Sequence, residues 1–190
     1  MDAHDLALAY ALSSVAGLRA TLTVLALTIA VHLHALDVPP NVAWLASDTT
    51  LWIAGAVALC DLLGDKVPLL DHALHAVHTL LAPLAGGVAI LAVDPTHATD
   101  PTMLALGAGL GGVNALGVHG LRATTRLAAT STTFGTFNPF LSVAGDLIAV
   151  AALAGAFLAP FATALVLLTL VVVGVLAARR VSRLRRRRAA

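Results

Sequence analysis

The sequence predicts an all-α integral membrane protein with about six transmembrane helices in two inverted three-helix repeats, some helices being broken or short. The 190 residues are 59% hydrophobic and only 11% charged, whereas soluble domains carry about 25% charged residues. The apolar runs are continuous and rich in Ala and Leu, which favours helices over the alternating pattern of a transmembrane barrel. The pentapeptide Gly-Leu-Arg-Ala-Thr occurs twice, at residues 17–21 and 120–124.

The first predicted repeat, about residues 5–93, holds three apolar segments of unequal length: 5–36, 51–63 and 69–93. The first segment is longer than a straight span of about 20 residues, so we expect it to be broken near Gly17. A loop with two prolines follows, and its Trp44 is expected at headgroup depth. The second segment is short for a span, and Pro83 interrupts the third.

The second predicted repeat, about residues 102–178, also holds three apolar segments: 102–128, 140–158 and 161–178. A glycine-rich stretch in the first of these suits close helix packing, and we expect a second helix break near Gly120. Because each repeat has an odd number of spans, the second repeat enters the membrane from the opposite side. Transporters that alternate access around a midplane site have this arrangement. Residues 1–178 would then form a single transmembrane domain.

A basic tail, residues 179–190, follows the last apolar segment and holds seven of the eleven Lys and Arg residues. Such a cluster directly after a span is typical of a positive-inside anchor beside anionic lipids rather than of a nucleic-acid-binding tail. The N-terminus lacks the basic region of a signal peptide. We therefore expect a multi-pass protein of the cytoplasmic membrane with a cytoplasmic C-terminus, membrane lipids as partners and no nucleic acid.

The two repeated pentapeptides each carry an arginine within an apolar run. A charge inside a span costs a few kcal/mol at least, so it normally persists because function needs it. A guanidinium presents a planar fork to a carboxylate or phosphate, and a helix broken at the preceding glycine would direct free N–H groups at an anion. We therefore expect two inverted half-sites for an anionic substrate, formed by Arg19, Arg122, Gly17, Gly120, His119 and Asn114.

Two aspartates, Asp61 and Asp146, lie in apolar runs of the two predicted repeats. In the alternative interpretation each arginine pairs internally with one of them, as buried charges must. Pairing and substrate binding can also alternate in a transport cycle, because a carboxylate in an apolar environment can take up and release a proton near neutral pH. A turn and helix start between the second and third segments adds further candidates for ion pairing or proton coupling: Asp65, Lys66 and Asp71.

Three histidines, His72, His75 and His78, occur at a spacing of three residues in the third segment. Imidazole and carboxylate groups suit Zn, Ni or Fe, so this cluster is a candidate metal site. The spacing spreads the three rings over about 120° of a helix, and the usual paired-ligand patterns are absent. The alternative is a polar helix face at headgroup level or beside a wet cavity. Apart from this metal ion, we expect no cofactor.

The order of these motifs resembles a family of small bacterial membrane proteins named domain of unknown function 4126. The resemblance covers about residues 15–160, and its most specific part is the Asp-Lys-x-Pro-x-x-Asp stretch of residues 65–71. Other shared motifs are at residues 17–20, 39–44, 78–79, 83–86, 118–123 and 138–146. The resemblance implies a fold but no settled activity.

The sequence is thus interpreted as a small membrane transporter or flippase for an anionic solute or lipid headgroup, coupled to protons. No Gly-rich phosphate loop and no Ser-His-Asp pattern is present, so we do not expect an enzyme. A protein this small often gains a pathway by dimerising, so a homo-oligomer is expected. Two alternatives remain open: a metal-binding or redox membrane module that uses the three histidines, and a structural membrane subunit that transports nothing.

Overall fold

The computed structural model of the chain describes residues 2–64, 68–94, 100–133 and 138–189, without the side chains of residues 68–76, 132–133, 138–139 and 181–189. The described residues form helices and contain no strand, which confirms the all-α prediction. In chain order they form α1 (Ala3–Leu18), α2 (Ala20–His32), a 3-10 helix (Pro40–Ala46), α3 (Asp48–Gly64), α4 (Pro68–Val93), α5 (Pro101–Thr133), α6 (Asn138–Leu158) and α7 (Pro160–Ala189).

Three of the described helical stretches are long and apolar enough to cross a membrane: Pro101–Ser131, Phe140–Leu158 and Pro160–Arg180. The 3-10 helix and α3 meet at an angle of 69° and would together make a fourth. Two shorter apolar helices, Ala20–His32 and Val77–Val93, lie beside them. The helices are therefore those of a small integral membrane protein with three to four candidate spans.

The predicted first segment is divided into α1 and α2 at Arg19. The backbone of Arg19 has φ −149° and ψ 89°, outside the helical region. The break is short, because the Arg19 N–H still donates to the Val15 carbonyl at 2.8 Å and the Thr23 N–H donates to the Arg19 carbonyl at 3.1 Å. The break lies two residues beyond Gly17, near which the sequence placed it.

Gly17 itself serves the packing of α1 against α5. A methyl group at this position would overlap the carbonyl oxygen of Ala115 and would come within 2.7 Å of Val118 Cβ. Only a residue without a side chain therefore allows the two helices to approach this closely.

The predicted break near Gly120 is wrong, because α5 runs uninterrupted from Pro101 to Thr133. Gly120 is exposed, and a methyl group added there would meet no atom of a neighbouring element within 4 Å. A break at this position would leave backbone N–H and C=O groups without helical partners on the outer face of the helix. No neighbouring element lies close enough there to form hydrogen bonds with them. An unbroken helix satisfies these groups internally, as a membrane environment requires.

Helix α1 lies at the centre of the fold and contacts α4, α5, α6 and α7. The most extensive contact joins α4 and α5, where Gly86 and Gly111 face each other so closely that a methyl group on either would overlap the carbonyl oxygen of the other. By contrast, α3 packs on α2 but contacts α4 only slightly. A tight α4–α5 pair and a loosely attached α3 thus flank the break at Arg19.

Candidate functional site

The side chain of Arg19 is fully buried, with 0% of its surface exposed. Its Nη1 lies 3.5 Å from Asp61 Oδ2. Its Nη2 donates to Asp146 Oδ1 and lies 3.4 Å from Ser142 Oγ. One guanidinium therefore holds two carboxylates that come from different helices, Asp61 from α3 and Asp146 from α6. For Arg19, the arrangement is the internal pairing that the sequence left as an alternative to substrate binding.

Asp61 connects the break to α3 and α4. Its side chain is 3% exposed, and its Oδ2 also accepts a hydrogen bond of 2.6 Å from the Thr21 hydroxyl. The other oxygen, Oδ1, lies 2.6 Å from His78 Nε2, which donates to it when the carboxylate is ionised. Both oxygens of this buried carboxylate are thus hydrogen-bonded, as a charge away from water requires.

A second imidazole continues this chain of polar groups into α5. The rings of His78 and His119 stack with centroids 6.5 Å apart and an interplanar angle of 20°, and both residues are buried. His119 Nε2 also lies 3.4 Å from the Thr79 hydroxyl. Titratable side chains therefore follow one another from the partly buried Asp146 through the buried Arg19, Asp61, His78 and His119. We call these five residues the buried cluster.

Arg122 extends from α5 to the end of α1, next to the break at Arg19. Its Nη1 donates to the carbonyl oxygen of Leu18, the last residue of α1. A cation at a helix C-terminus is favourable, because the last carbonyl groups lack helical donors and carry partial negative charge. The Nη2 of Arg122 also lies 3.9 Å from the position that a methyl group on Gly145 would occupy, next to Asp146. The two pentapeptide arginines therefore approach the same break in different ways.

The remaining predicted substrate residues lie apart from the carboxylates. Asn114 Nδ2 donates to the hydroxyl groups of Ser13 at 2.8 Å and Ser14 at 2.9 Å. Asn114 and Gly17 therefore join α1 to α5, whereas Gly120 lies on the exposed face of α5.

Several predicted residues fall outside what the structure describes. Asp65 and Lys66 lie outside the described residues, and Asp71, His72 and His75 belong to α4 with side chains that are not described. The proposed metal cluster of three histidines therefore stays a prediction. Its third member, His78, has Nε2 directed at Asp61.

Two members of the site, Thr21 and Ser142, lie within motifs that the sequence singled out but were not among the predicted site residues. Thr21 closes the first pentapeptide, two residues after Arg19, and its hydroxyl faces Asp61. Ser142 precedes Asp146 by four residues, so both lie on the same face of α6. A polar residue one turn from an intramembrane acid is the signal that could have found Ser142.

Two adjoining cavities lie beside Asp61. The larger, of about 370 Å³, lies between α2, α3, α4 and the 3-10 helix, and it is lined almost entirely by apolar side chains. The smaller, of about 250 Å³, is lined at one end by Thr21, Asp61 and His78. Thr21, Val57 and Leu81 line both. The two cavities are thus neighbours, and the smaller one borders the buried cluster at Asp61 and His78.

The model of one protein family, described as Domain of unknown function (DUF4126), matches residues 6–180. This range includes both pentapeptides, the break at Arg19 and every member of the buried cluster. No curated protein and no solved structure matches the chain.

Proposed function

The chain belongs to the domain of unknown function 4126 family, and we propose that it is a small proton-coupled transporter or flippase for an anionic solute or lipid headgroup, not an enzyme. The observation that carries the proposal is the fully buried Arg19, which two carboxylates from different helices hold at a helix break. A buried ion pair often stabilises a protein no better than apolar side chains of similar volume. A functional need for the charge explains its presence better than stability does.

In this arrangement the two carboxylates and an anionic substrate would compete for the guanidinium group of Arg19. While Asp61 and Asp146 are ionised, they occupy the Nη donors of Arg19. Protonation of either carboxylate removes its attraction and makes the guanidinium available to an anion. The first N–H groups of α2 have no helical acceptors at the break and add donors beside it. Substrate binding should therefore strengthen as the pH falls.

The two buried imidazoles supply a route for the coupling proton. An imidazole changes its charge near physiological pH, and His78 already touches Asp61. The stacked His119 extends the route toward α5. A proton received at Asp61 can thus arrive from a neighbouring side chain without crossing an apolar layer.

The proposal includes the complete predicted topology in the cytoplasmic membrane. Helices α1 and α2 would make one crossing that is broken at Arg19, and α3 to α7 would each make another. Residues 5–93 and 102–178 would then form the two inverted repeats, with Arg19 and Arg122 in corresponding half-sites of one chain. The protein would assemble as a homo-oligomer. Six crossings place both termini in the cytoplasm, so reporter fusions at each terminus should give the same cytoplasmic signal. Opposite signals would contradict this topology.

Uptake into liposomes across a pH series tests the mechanism. The candidate substrates are short-chain organic anions and phospholipid headgroup analogues. We expect Arg19→Lys and Arg122→Lys to lose most uptake, because an ammonium lacks the bidentate fork, and Asp146→Asn to flatten the pH dependence. Arg126→Lys is the matched control, since it changes another α5 arginine outside the buried cluster.

Two outcomes would refute the mechanism. Folded Arg19→Lys and Arg122→Lys variants with the uptake of the wild type would show that the arginines do not bind substrate. An Asp146→Asn variant with an unmoved pH profile would show that this carboxylate does not carry the coupling.

A further inference from the structure

We propose that the substrate is a long-chain carboxylic acid, whose acyl chain lies in the 370 Å³ cavity and whose protonated carboxyl group meets Asp61. This inference rests on the proposed function, because it names the substrate class of the same site. The source of the ligand is the pool of free fatty acids in the surrounding bilayer.

The shape and the walls of the larger cavity fit a hydrocarbon chain. Its volume of about 370 Å³ falls within the range of about 300–1,000 Å³ that is usual for ligand sites. Val24, Trp44, Ile53, Leu84 and Val88 contribute apolar side chains from four different elements. A chain placed there would bury apolar surface against all four elements, whereas a small hydrophilic anion would find few polar partners.

In the proposed topology this cavity lies within the hydrocarbon region of the membrane. It is lined by α2, α3, α4 and the 3-10 helix, and α3 has little contact with α4, so we infer that it opens sideways between these two helices. Apolar residues of these two helices are largely exposed, with Trp52 at 77%, Leu80 at 71% and Leu84, which lines the cavity, at 66%. Exposed apolar side chains on a membrane helix face acyl chains, so a ligand with such a chain can enter laterally.

Three polar residues of the site border the smaller cavity and are the groups that a headgroup would meet there. Thr21, Asp61 and His78 line the smaller cavity, whereas the fully buried Arg19 lies behind Asp61. An entering headgroup therefore meets a carboxylate before it meets the guanidinium. A permanently ionised phosphate or sulfonate is repelled at this point. A protonated carboxyl group can donate a hydrogen bond to Asp61, and fatty acids in a medium of low dielectric constant retain their proton more readily.

The transfer step is a proton exchange between two carboxyl groups. The O–H bond of the substrate breaks as an O–H bond forms on Asp61, and no electrons are transferred. Asp61 then loses its attraction for Arg19, and the new substrate carboxylate accepts hydrogen bonds from the guanidinium. The titratable groups that face this exchange are Arg19 and His78, with Asp146 on the far side of Arg19 and His119 behind His78.

The only cysteine of the chain provides the assay. Cys60 is exposed on α3 and lines the smaller cavity beside Asp61. The full-length protein in phosphatidylcholine vesicles is treated with a membrane-permeant maleimide, with or without a ligand. The ligands are decanoic acid, decanol, decanesulfonate and decyltrimethylammonium, which share a chain and differ only in the headgroup.

We expect saturating decanoic acid to slow the labelling of Cys60 about tenfold, because occupancy of the site protects the thiol by mass action. The other three ligands should slow it less than about twofold. Protection by decanoic acid should weaken as the pH rises and the free acid ionises. Ile53→Trp, which fills the cavity, should abolish protection, whereas Ile148→Trp, an equal change on the exposed face of α6, should not.

Three results would overturn the inference. Strongest protection by decyltrimethylammonium would identify a site for lipophilic cations. Equal protection by decanol would show that the chain alone is recognised, and equal protection by decanesulfonate would exclude the proton exchange.

The ligand panel also separates this inference from the proposed function. If decanoic acid gives no protection while uptake of a water-soluble anion still depends on Arg19, only the substrate class is wrong. If Arg19→Lys and Arg122→Lys keep full anion uptake, the transport mechanism itself is wrong.

Discussion

The two copies of Gly-Leu-Arg-Ala-Thr adopt different conformations in the same molecule. At residues 17–21 the chain leaves the helix at Arg19, and the arginine is fully buried between two carboxylates. At residues 120–124 the helix continues, the glycine is exposed, and Arg122 reaches across to a backbone carbonyl group. Identical local sequence therefore does not determine whether the helix breaks.

The difference lies in what surrounds each copy. Asp61, Asp146 and Ser142 converge on the first arginine. Arg122 supports the end of α1 by donating a hydrogen bond to the Leu18 carbonyl oxygen. These partners hold the Arg19 side chain at the break and satisfy the last carbonyl group of α1. The first copy therefore depends on the second, since Arg122 of the second copy donates to the carbonyl group at the break in the first.

The largest expected effect comes from removing each arginine in turn. Arg19→Ala leaves two carboxylates in the interior without their partner and should lower the free energy of unfolding by about 3–5 kcal/mol. Arg122→Ala removes a hydrogen bond to a helix end and should cost about 1–2 kcal/mol. Denaturant unfolding in mild detergent micelles measures both.

A triple variant checks the cause of this difference. Arg19→Ala combined with Asp61→Ala and Asp146→Ala should be more stable than Arg19→Ala alone, because no unpaired charge remains. Equal losses for the two single arginine variants, or a triple variant that is less stable than Arg19→Ala, would contradict the proposed balance of charges.

The two pentapeptide glycines give the next largest effect. Gly17→Ala introduces a methyl group that would overlap the Ala115 carbonyl oxygen, and such overpacking typically costs about 1–3 kcal/mol. Gly120→Ala places the same methyl group in open space and should stabilise α5 by up to about 1 kcal/mol through helix propensity. Opposite shifts in thermal unfolding temperature are expected, and shifts of the same sign would show that the helix contacts are misassigned.

The smallest expected effect concerns the start of α1, far from its broken end. The Asp2 carboxylate accepts a hydrogen bond of 2.9 Å from the Asp5 N–H, which lowers the pKa of Asp2 below its usual value of 3.8. The charge therefore stabilises the helix start above pH 3.8, and this contribution is lost as the pH falls through the lower native value.

Replacing Asp2 by Asn keeps a capping side chain but removes the charge. Amide exchange in the first turn of α1 should therefore be faster in Asp2→Asn than in the wild type near neutral pH, and the two should converge in strong acid. Asp2→Ala, which removes the cap itself, should exchange faster at every pH. A constant difference between Asp2→Asn and the wild type would show that the charge plays no part.

Helix positions could be predicted from the sequence because apolar runs and proline or glycine boundaries act locally. The predicted segment at residues 69–93 corresponds to Pro68–Val93, and that at 140–158 corresponds to Asn138–Leu158. The predicted break near Gly17 occurs at Arg19, whereas the break near Gly120 does not exist. The error at Gly120 arises because a break depends on partners from other helices, which one segment of sequence cannot reveal.

The site could be predicted in its residue types but not in its connections. The pairing of Arg19 with Asp61 and Asp146 was one of two interpretations, because the residues are 42 and 127 positions apart and only packing brings them together. His78 was grouped with His72 and His75 by helical spacing, yet its ring contacts Asp61 on α3. Spacing along a helix indicates which side chains share a face, but the opposite helix decides what they bind.

The balance of charge around Arg19 has an electrical consequence. The positive charges of Arg19 and Arg122 equal in number the negative charges of Asp61 and Asp146. These four groups therefore carry no net charge on which a membrane voltage could act while both acids are ionised. A voltage of 100 mV acts on each uncompensated charge with about 2.3 kcal/mol. A fatty acid that enters with its own proton adds no charge, so such transport would be electroneutral and indifferent to the membrane potential, whereas an anion that enters without a proton would carry current.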